Sequence, residues 1–441
     1  MKILSLLPIA VTLAGTYLLF KLRFFFLFNP QKTLKKAMRA VGGKDSFSSL
    51  SLALAGTLGI GNIVGVAVGI SVGGPGSVFW LFISSVFAMV IKYCEATISS
   101  DMGEGLGMIG VLRKSFAGKK RAISYVYASL VLILSFIMGA ALQSRSIAQT
   151  AEEAFKISPL FSAFAVTVFI LYPVFKGNEK IEKITAIIIP LATVVYILLA
   201  FSSIITNISK LPSAFTSVVS SAFYIKSVKG GILGFLLSNA VKEGYLRGIL
   251  SNEAGAGTSS FAHARNGSRD PSEVGVMGIA EVFFDTVLLC MLTAFATLVS
   301  TDGVLGLSGV GIIIIGIGSV FGMFSEYLLF LCIFAFAYST VICWYYYGRC
   351  AYAYLFGRCG TAYAVSFCAS VLLGALIETR SLIAATDITL LLLSFISLFA
   401  VIKNSDRIKL LSEKGGLVIP KARCREKPTS IRRKYSREDR P

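Results

Sequence analysis

"ALAGTLGIGNIVGVAVGISVGGPG", residues 53–76, is apolar enough to lie in a bilayer, yet eight of its 24 residues are glycine and Asn62 stands near its centre. A glycine inside a helix costs about 1 kcal/mol relative to alanine, and a lipid-buried amide without a partner costs more still. Two such faults at one point call for a reason. Glycines permit an unwound turn, which bares backbone N–H and C=O groups at membrane depth. Bare backbone survives there only where protein, ions or a polar solute satisfy it. The half-helix N-terminus beyond the turn then attracts an anion such as a carboxylate, and the freed carbonyls attract a cation. Close helix packing through small residues also suits Gly61, Gly65 and Gly69, spaced four apart. Packing is the expectation for Gly65 and Gly69. For Gly59, Gly61 and Asn62 it is an unwound site, because packing alone does not call for an Asn.

A second stretch carries the same faults. "RGILSNEAGAGTSSFAHA", residues 247–264, combines Gly255 and Gly257 with Asn252 inside a helical run. Around these two stretches the chain reads as eleven apolar spans, each long enough to cross about 30 Å of hydrocarbon. With a leading span at 3–28 set aside, five spans start at each interrupted helix. Paired discontinuous helices heading two halves are the sequence sign of an inverted-repeat transporter. The implied organisation is an extra N-terminal helix and basic connector (1–45), a first five-helix repeat (46–208), a connecting loop (209–227), a second repeat (228–403) and a basic tail (404–441). The long apolar run 309–349 is expected to hold a loop or re-entrant piece before its main helix.

Composition supports a polytopic all-α membrane protein. The 441 residues are 55% hydrophobic and only 15% charged, with a mean hydropathy of +0.77. The first apolar run is longer than a usual signal core, its charges follow it and no small-residue cleavage site closes it, so it reads as a retained helix. The net charge of +19 is concentrated outside the spans, with 13 Lys/Arg against five Asp/Glu from Lys403 onward. On a chain embedded in lipid, that tail is expected to be cytoplasmic, mostly disordered and near anionic headgroups rather than bound to nucleic acid. With the tail inside and the N-terminus outside, the inner loops hold 17 basic residues and the outer ones six, which obeys the positive-inside rule. The location implied is the cell (inner) membrane. Eight cysteines show no C-x-x-C spacing and indicate neither a disulfide frame nor a metal site. No HExxH or P-loop is present and there is one histidine, so an enzyme is not indicated and no cofactor is expected.

"GTLGIGNIVGVA", "GGPGSVFW", "KYCEATIS", the SNEAG run, "FFDTVLLCMLTAF" and "FAFAYSTVICWYYYG" together resemble the alanine or glycine:cation symporters across residues 46 to about 355. That resemblance implies a LeuT-like 5+5 inverted repeat with one additional helix, and inward transport of a small neutral amino acid with Na⁺ as the coupling ion. It also implies site residues. Backbone at Gly59, Ile60 and Gly61, beside Asn62, would receive the substrate carboxylate, and Gln143 would accept from its ammonium. Leu250, Ser251 and Asn252 would border the substrate from the second break. Thr340 and Trp344, four apart, would line and close the pocket. For Na⁺, the hydroxyls of Ser339 and Thr340 would join carbonyls near Ala55 and Leu58. Hard, uncharged oxygens suit that ion. Ile60 stands where the family usually has Thr, and Arg145 where it has Asn. H⁺ coupling, another substrate of the same fold, or a sensor that has lost transport are therefore the competing expectations.

The remaining polar residues divide between site and structure. Arg145 is either a functional intramembrane charge or a side chain reaching toward Glu152 or Glu153. A protein-facing or vestibule face is expected for Lys242, Glu243 and Arg247, and Glu253 is expected to brace the break through backbone N–H groups. Asp285 is expected to support rather than contact an ion. His263 is expected to be solvated or capping at a helix end.

Overall fold

The computed structural model describes residues 6–42, 44–116, 118–176, 178–223, 239–264, 270–301, 309–318, 320–357 and 361–418, and all regular structure among them is helical. Helix α1 (Leu6–Lys21) leads to α2 (Pro30–Val41), a short amphipathic helix with Lys32, Lys35 and Arg39 exposed. The quoted stretch then forms α3 (Lys44–Thr57), a single 3₁₀ turn at Ile60–Asn62, and α4 (Val64–Gly73), with a bend of 62° between the two arms. Gly74, with φ 73°, and Pro75 turn the chain into α5 (Gly76–Met102). After α6 (Gly107–Ser115) come α7 (Ala122–Phe155), α8 (Pro159–Lys176) and α9 (Asn178–Thr206).

The second half opens on α11 (Asn239–Asn252), reached after α10 (Leu211–Ala222), and the chain unwinds from Glu253 to Ser259 before the one-turn α12 (Ser260–His263). It continues through α13 (Pro271–Ser300), α14 (Gly309–Gly316), α15 (Met323–Phe356), α16 (Thr361–Gly374), α17 (Thr379–Lys403) and α18 (Ser405–Lys414). Asp270 caps α13 by accepting from the Ser272 backbone N–H at 3.0 Å, and Pro271 at the first helical position needs no such partner.

Among the described residues seven helices have the length and hydropathy to cross a membrane, and the bent pair α3–α4 makes an eighth span; α1 and α16 are shorter apolar helices. That is fewer than the eleven spans read from the sequence, and residues 228–238 of the second broken span lie outside the described residues. Two further boundaries differ from the sequence reading. The expected connecting loop 209–227 contains α10, which packs on α5 where the Trp80 indole N–H donates to the Ala222 carbonyl at 3.2 Å. The expected disordered tail begins with α18, and residues 419–441 lie outside the described residues. The loop foreseen within 309–349, ahead of its main helix, is present as turns at 317–318 and 320–322 between α14 and α15.

Helix α5 is the hub. Glycines let α11 and α13 lie against it. A Cβ on Gly248 would stand 2.2 Å from Ser84 Oγ, and one on Gly275 would stand 2.1 Å from Thr97 Oγ1. Helices α8 and α9 instead present Phe161, Phe164, Phe169, Ile187, Leu191 and Leu198 to the outside. A hydrophobic exterior of this kind belongs to lipid.

Candidate functional site

The two interruptions touch each other. Gly59 is extended (φ −100°, ψ −158°), and the backbone N–H of Ile60 points to Gln143 Oε1 at 3.4 Å. Gln143 is held at the end of a π-helical stretch, Ser135–Leu142, within α7. Such a stretch adds a residue to a turn and rotates the side chains beyond it, and it recurs at functional positions. A Cβ on Gly59 would lie 2.9 Å from Thr340 Oγ1 and 3.2 Å from both amide atoms of Gln143. Only a bare backbone fits between them. Gly61 meets the second break, with Ser251 Cα and the Leu250 carbonyl 3.4 and 3.6 Å from its Cβ position.

A cavity opens at this junction, lined by Gly59, Ile60, Gly61 and Gly65 of the first break, Met138, Leu142 and Gln143 of α7, Leu250 of α11, and Thr379 and Ile383 of α17. It encloses about 20 Å³ of free space, room for about one water. Gly65 faces this space with nothing within 4 Å of its Cβ position, so it does not serve helix packing as the sequence spacing suggested; Gly69 does, against Arg247 Cγ at 3.0 Å.

Below the bend, Thr340 donates to the Ala55 carbonyl at 2.9 Å and to the Phe336 carbonyl at 3.0 Å. Its neighbour Ser339 is fully buried and its hydroxyl has no partner. Leu58, also buried, begins the break one turn after Ala55. The Thr340 hydroxyl and the Ala55 carbonyl thus bring uncharged oxygens together between α3 and α15, and oxygens of that kind suit a hard monovalent cation.

Asn62, Ser251 and Asn252 do not turn their side chains into the cavity. They bind a second π-helical stretch, Phe283–Cys290 of α13. Asn62 donates to the Asp285 carboxylate, Ser251 donates to its Oδ2 at 2.7 Å, and Thr286 donates to the same atom at 2.8 Å. Asn252 donates to Thr286 Oγ1 at 3.0 Å. Asp285 therefore fastens both breaks to one helix. Trp344 is also absent from the cavity lining. Its fully buried ring lies against Gly139, where a Cβ would stand 2.2 Å from the Trp344 Cβ.

Arg145 donates to the Ala375 carbonyl at 2.8 Å, tying α7 to the end of α16, and so reaches neither Glu152 nor Glu153. Arg247 bridges Glu243 (3.3 Å) and Asp387 of α17 (3.4 Å) within the protein. His263 is not solvated; it is fully buried with Nε2 3.0 Å from Glu281 Oε2. Sequence reasoning passed over Lys92, Glu95 and Glu281, although three ionisable residues inside apolar spans were signal enough. It also passed over Thr379 and Ile383, which nothing in the local sequence marks.

Comparisons with known proteins bear on the fold and the family. The solved structure of MhsT in complex with L-phenylalanine superposes with a TM-score of 0.60, covering 84% of this chain and 96% of that one at 18% identity. That likeness establishes the LeuT-like architecture. The sodium/alanine symporter AgcS of Methanococcus maripaludis is 31% identical over 70% of each chain. The putative sodium/proton-dependent alanine carrier protein YrbD of Bacillus subtilis is 32% identical over 70% of this chain and 67% of its own. The sequence profile of the sodium:alanine symporter family matches residues 2–411. With two interrupted helices meeting over a small buried cavity and a family match of that length, this chain belongs to the sodium:alanine symporter family, whose members are membrane transporters and not enzymes.

Proposed function

We propose that this protein imports a small neutral amino acid of the alanine or glycine type together with Na⁺, by alternating access around the two broken helices. One observation carries the reading: the bare backbone at Gly59, the Gln143 amide and the Thr340 hydroxyl converge at the same bend. The substrate carboxylate is met by the N–H groups at the start of α4, where the helix dipole favours negative charge. Gln143 Oε1, now pointing at the Ile60 N–H, accepts from the ammonium when the site is filled. Ile60, Leu142, Leu250 and Ile383 crowd the space where a side chain would sit, which favours a methyl group or hydrogen.

Na⁺ is held by the Ser339 and Thr340 hydroxyls and the Ala55 carbonyl, with Leu58 at the edge of the set. Because α3 and α15 each supply ligands, one ion clamps two helices that must move relative to each other. Its binding thereby biases the conformation that also accepts the amino acid. The excess of basic residues in the proposed inner loops supports an N-terminus outside and a tail on the cytoplasmic side of the cell (inner) membrane.

The test is uptake of radiolabelled alanine by proteoliposomes carrying the purified protein, under an inward Na⁺ gradient and after replacement of Na⁺ by choline. Uptake that rises with the gradient and saturates with alanine is expected. Equal uptake in choline would overturn Na⁺ coupling and leave a proton as the driving ion.

A further inference from the structure

A second polar cluster lies beside the unwound segment 253–259, outside the cavity and the cation set. Lys92 of α5 donates to Ser259 Oγ at 2.7 Å and to Glu281 Oε1 of α13 at 2.9 Å, and Glu281 Oε2 meets His263 Nε2 at 3.0 Å. Glu281 thus has two nitrogen partners. Two further carboxyls surround the same ammonium with far less support. Glu253, at the break itself and with φ 53°, receives only the Thr258 hydroxyl on one oxygen; its other oxygen has no partner. Glu95, one turn along α5 from Lys92, receives the Ser397 hydroxyl at 2.9 Å on Oε1, while Oε2 has no hydrogen-bond partner. Every one of these residues is at most 2% exposed.

The charges do not balance. Three carboxyls share one ammonium and one imidazole, so even a protonated His263 leaves one negative charge uncompensated. The other titratable groups that face the two acids add no positive charge. They are Cys94 of α5, Asp285 of α13, Tyr127 of α7, whose hydroxyl donates to the Ala256 carbonyl at 2.7 Å, and Cys343 and Tyr347 of α15. Burying an unpaired ionised carboxylate costs several kcal/mol, and a group so placed takes up a proton instead.

We propose that Glu95 and Glu253 form a proton-binding site at the second break, held as neutral acids while the break is closed and ionising when it opens. The link to conformation is direct. The Thr258–Glu253 bond spans the unwound turn, and Lys92 reaches Ser259 at its far end. Loss of a proton places a bare charge inside this loop, and water entering an opened break relieves it. This inference goes beyond amino-acid symport, and its test involves no transport, so it fails or stands independently of that reading.

The experiment is infrared spectroscopy of the full-length protein in lipid, following the protonated carboxylic C=O band from neutral to alkaline pH, with amide hydrogen exchange of residues 253–259 measured in parallel. A band present at neutral pH is expected, reduced in Glu95→Gln and in Glu253→Gln. Lys92→Met, which removes the only ammonium in the cluster, should enlarge it. As the band titrates away, exchange across 253–259 should accelerate. A band of wild-type size in both glutamine variants would overturn the site, and unchanged exchange on ionisation would overturn its link to the break. Should Lys92→Met fail to fold, the two near-isosteric glutamine variants decide.

Discussion

Adding one methyl group at Gly59 tests the site more sharply than deleting a polar side chain. Gly59 has a φ of −100° and is extended, a conformation alanine adopts without strain. The whole penalty therefore comes from what the new Cβ meets: Thr340 Oγ1 at 2.9 Å and the Gln143 amide at 3.2 Å. Both are residues of the proposed machinery, held by partners of their own. Insertion of a methyl into a packed interior costs about 1–3 kcal/mol. If that cost falls on the substrate- and ion-bound state, Gly59→Ala lowers alanine kcat/KM by about five- to 140-fold, taking 1.4 kcal/mol per decade.

Gly61→Ala supplies the control two residues away. Its Cβ finds its nearest neighbour at 3.4 Å, the edge of ordinary van der Waals contact, so a change within about threefold is expected. The assay is initial alanine uptake in proteoliposomes at saturating Na⁺, with Tm in detergent monitored to show that both variants fold. Equal losses in the two variants, or a larger loss at Gly61, would refute the placement of the site between Gln143 and Thr340.

Ser339→Ala removes a buried hydroxyl that has no protein partner; Tm should hold or rise, as deleting an unsatisfied group costs nothing, while the Na⁺ concentration for half-maximal uptake rises. Unchanged Na⁺ dependence would exclude Ser339 as an ion ligand. Thr340→Val removes the hydroxyl that donates to the Ala55 carbonyl at 2.9 Å, and should weaken Na⁺ dependence together with a Tm loss of the kind that about 1 kcal/mol produces. Asp285→Ala strips the acceptor from Asn62, Ser251 and Thr286. At about 1–3 kcal/mol per donor left unsatisfied, it should lower Tm more than any cavity substitution, as differential scanning fluorimetry would show. Outside the membrane, burial works against the charged form of Asp270, but the Lys36 ammonium and the Ser272 donors outweigh it and hold the carboxyl below its usual range. A depressed folded-state pKa means stability that is present above about pH 4 and lost as pH falls through the folded value. Asp270→Asn should therefore lower Tm at neutral pH and flatten its decline in acid; parallel wild-type and variant curves would sink the assignment.

What was legible in the sequence was whatever depends on the chain's own periodicity. Apolar spans, basic loops and the glycine-plus-Asn faults at 53–76 and 247–264 are local patterns set by hydrocarbon thickness and backbone cost, and they announced a transporter with two broken helices. Which groups face one another is set instead by how the helices rotate when they pack, and there the tertiary structure decided. Two π-helical stretches turn Gln143 toward Ile60 and Asp285 toward Asn62 and Ser251, and hydropathy is blind to such a turn. The same packing draws Asn62, Ser251 and Asn252 onto α13, sends Trp344 against Gly139, opens Gly65 to the cavity and buries His263. Lys92, Glu95, Glu253 and Glu281 come from two helices and the unwound second break, distant along the chain, and only their convergence around one ammonium shows that their charges do not cancel.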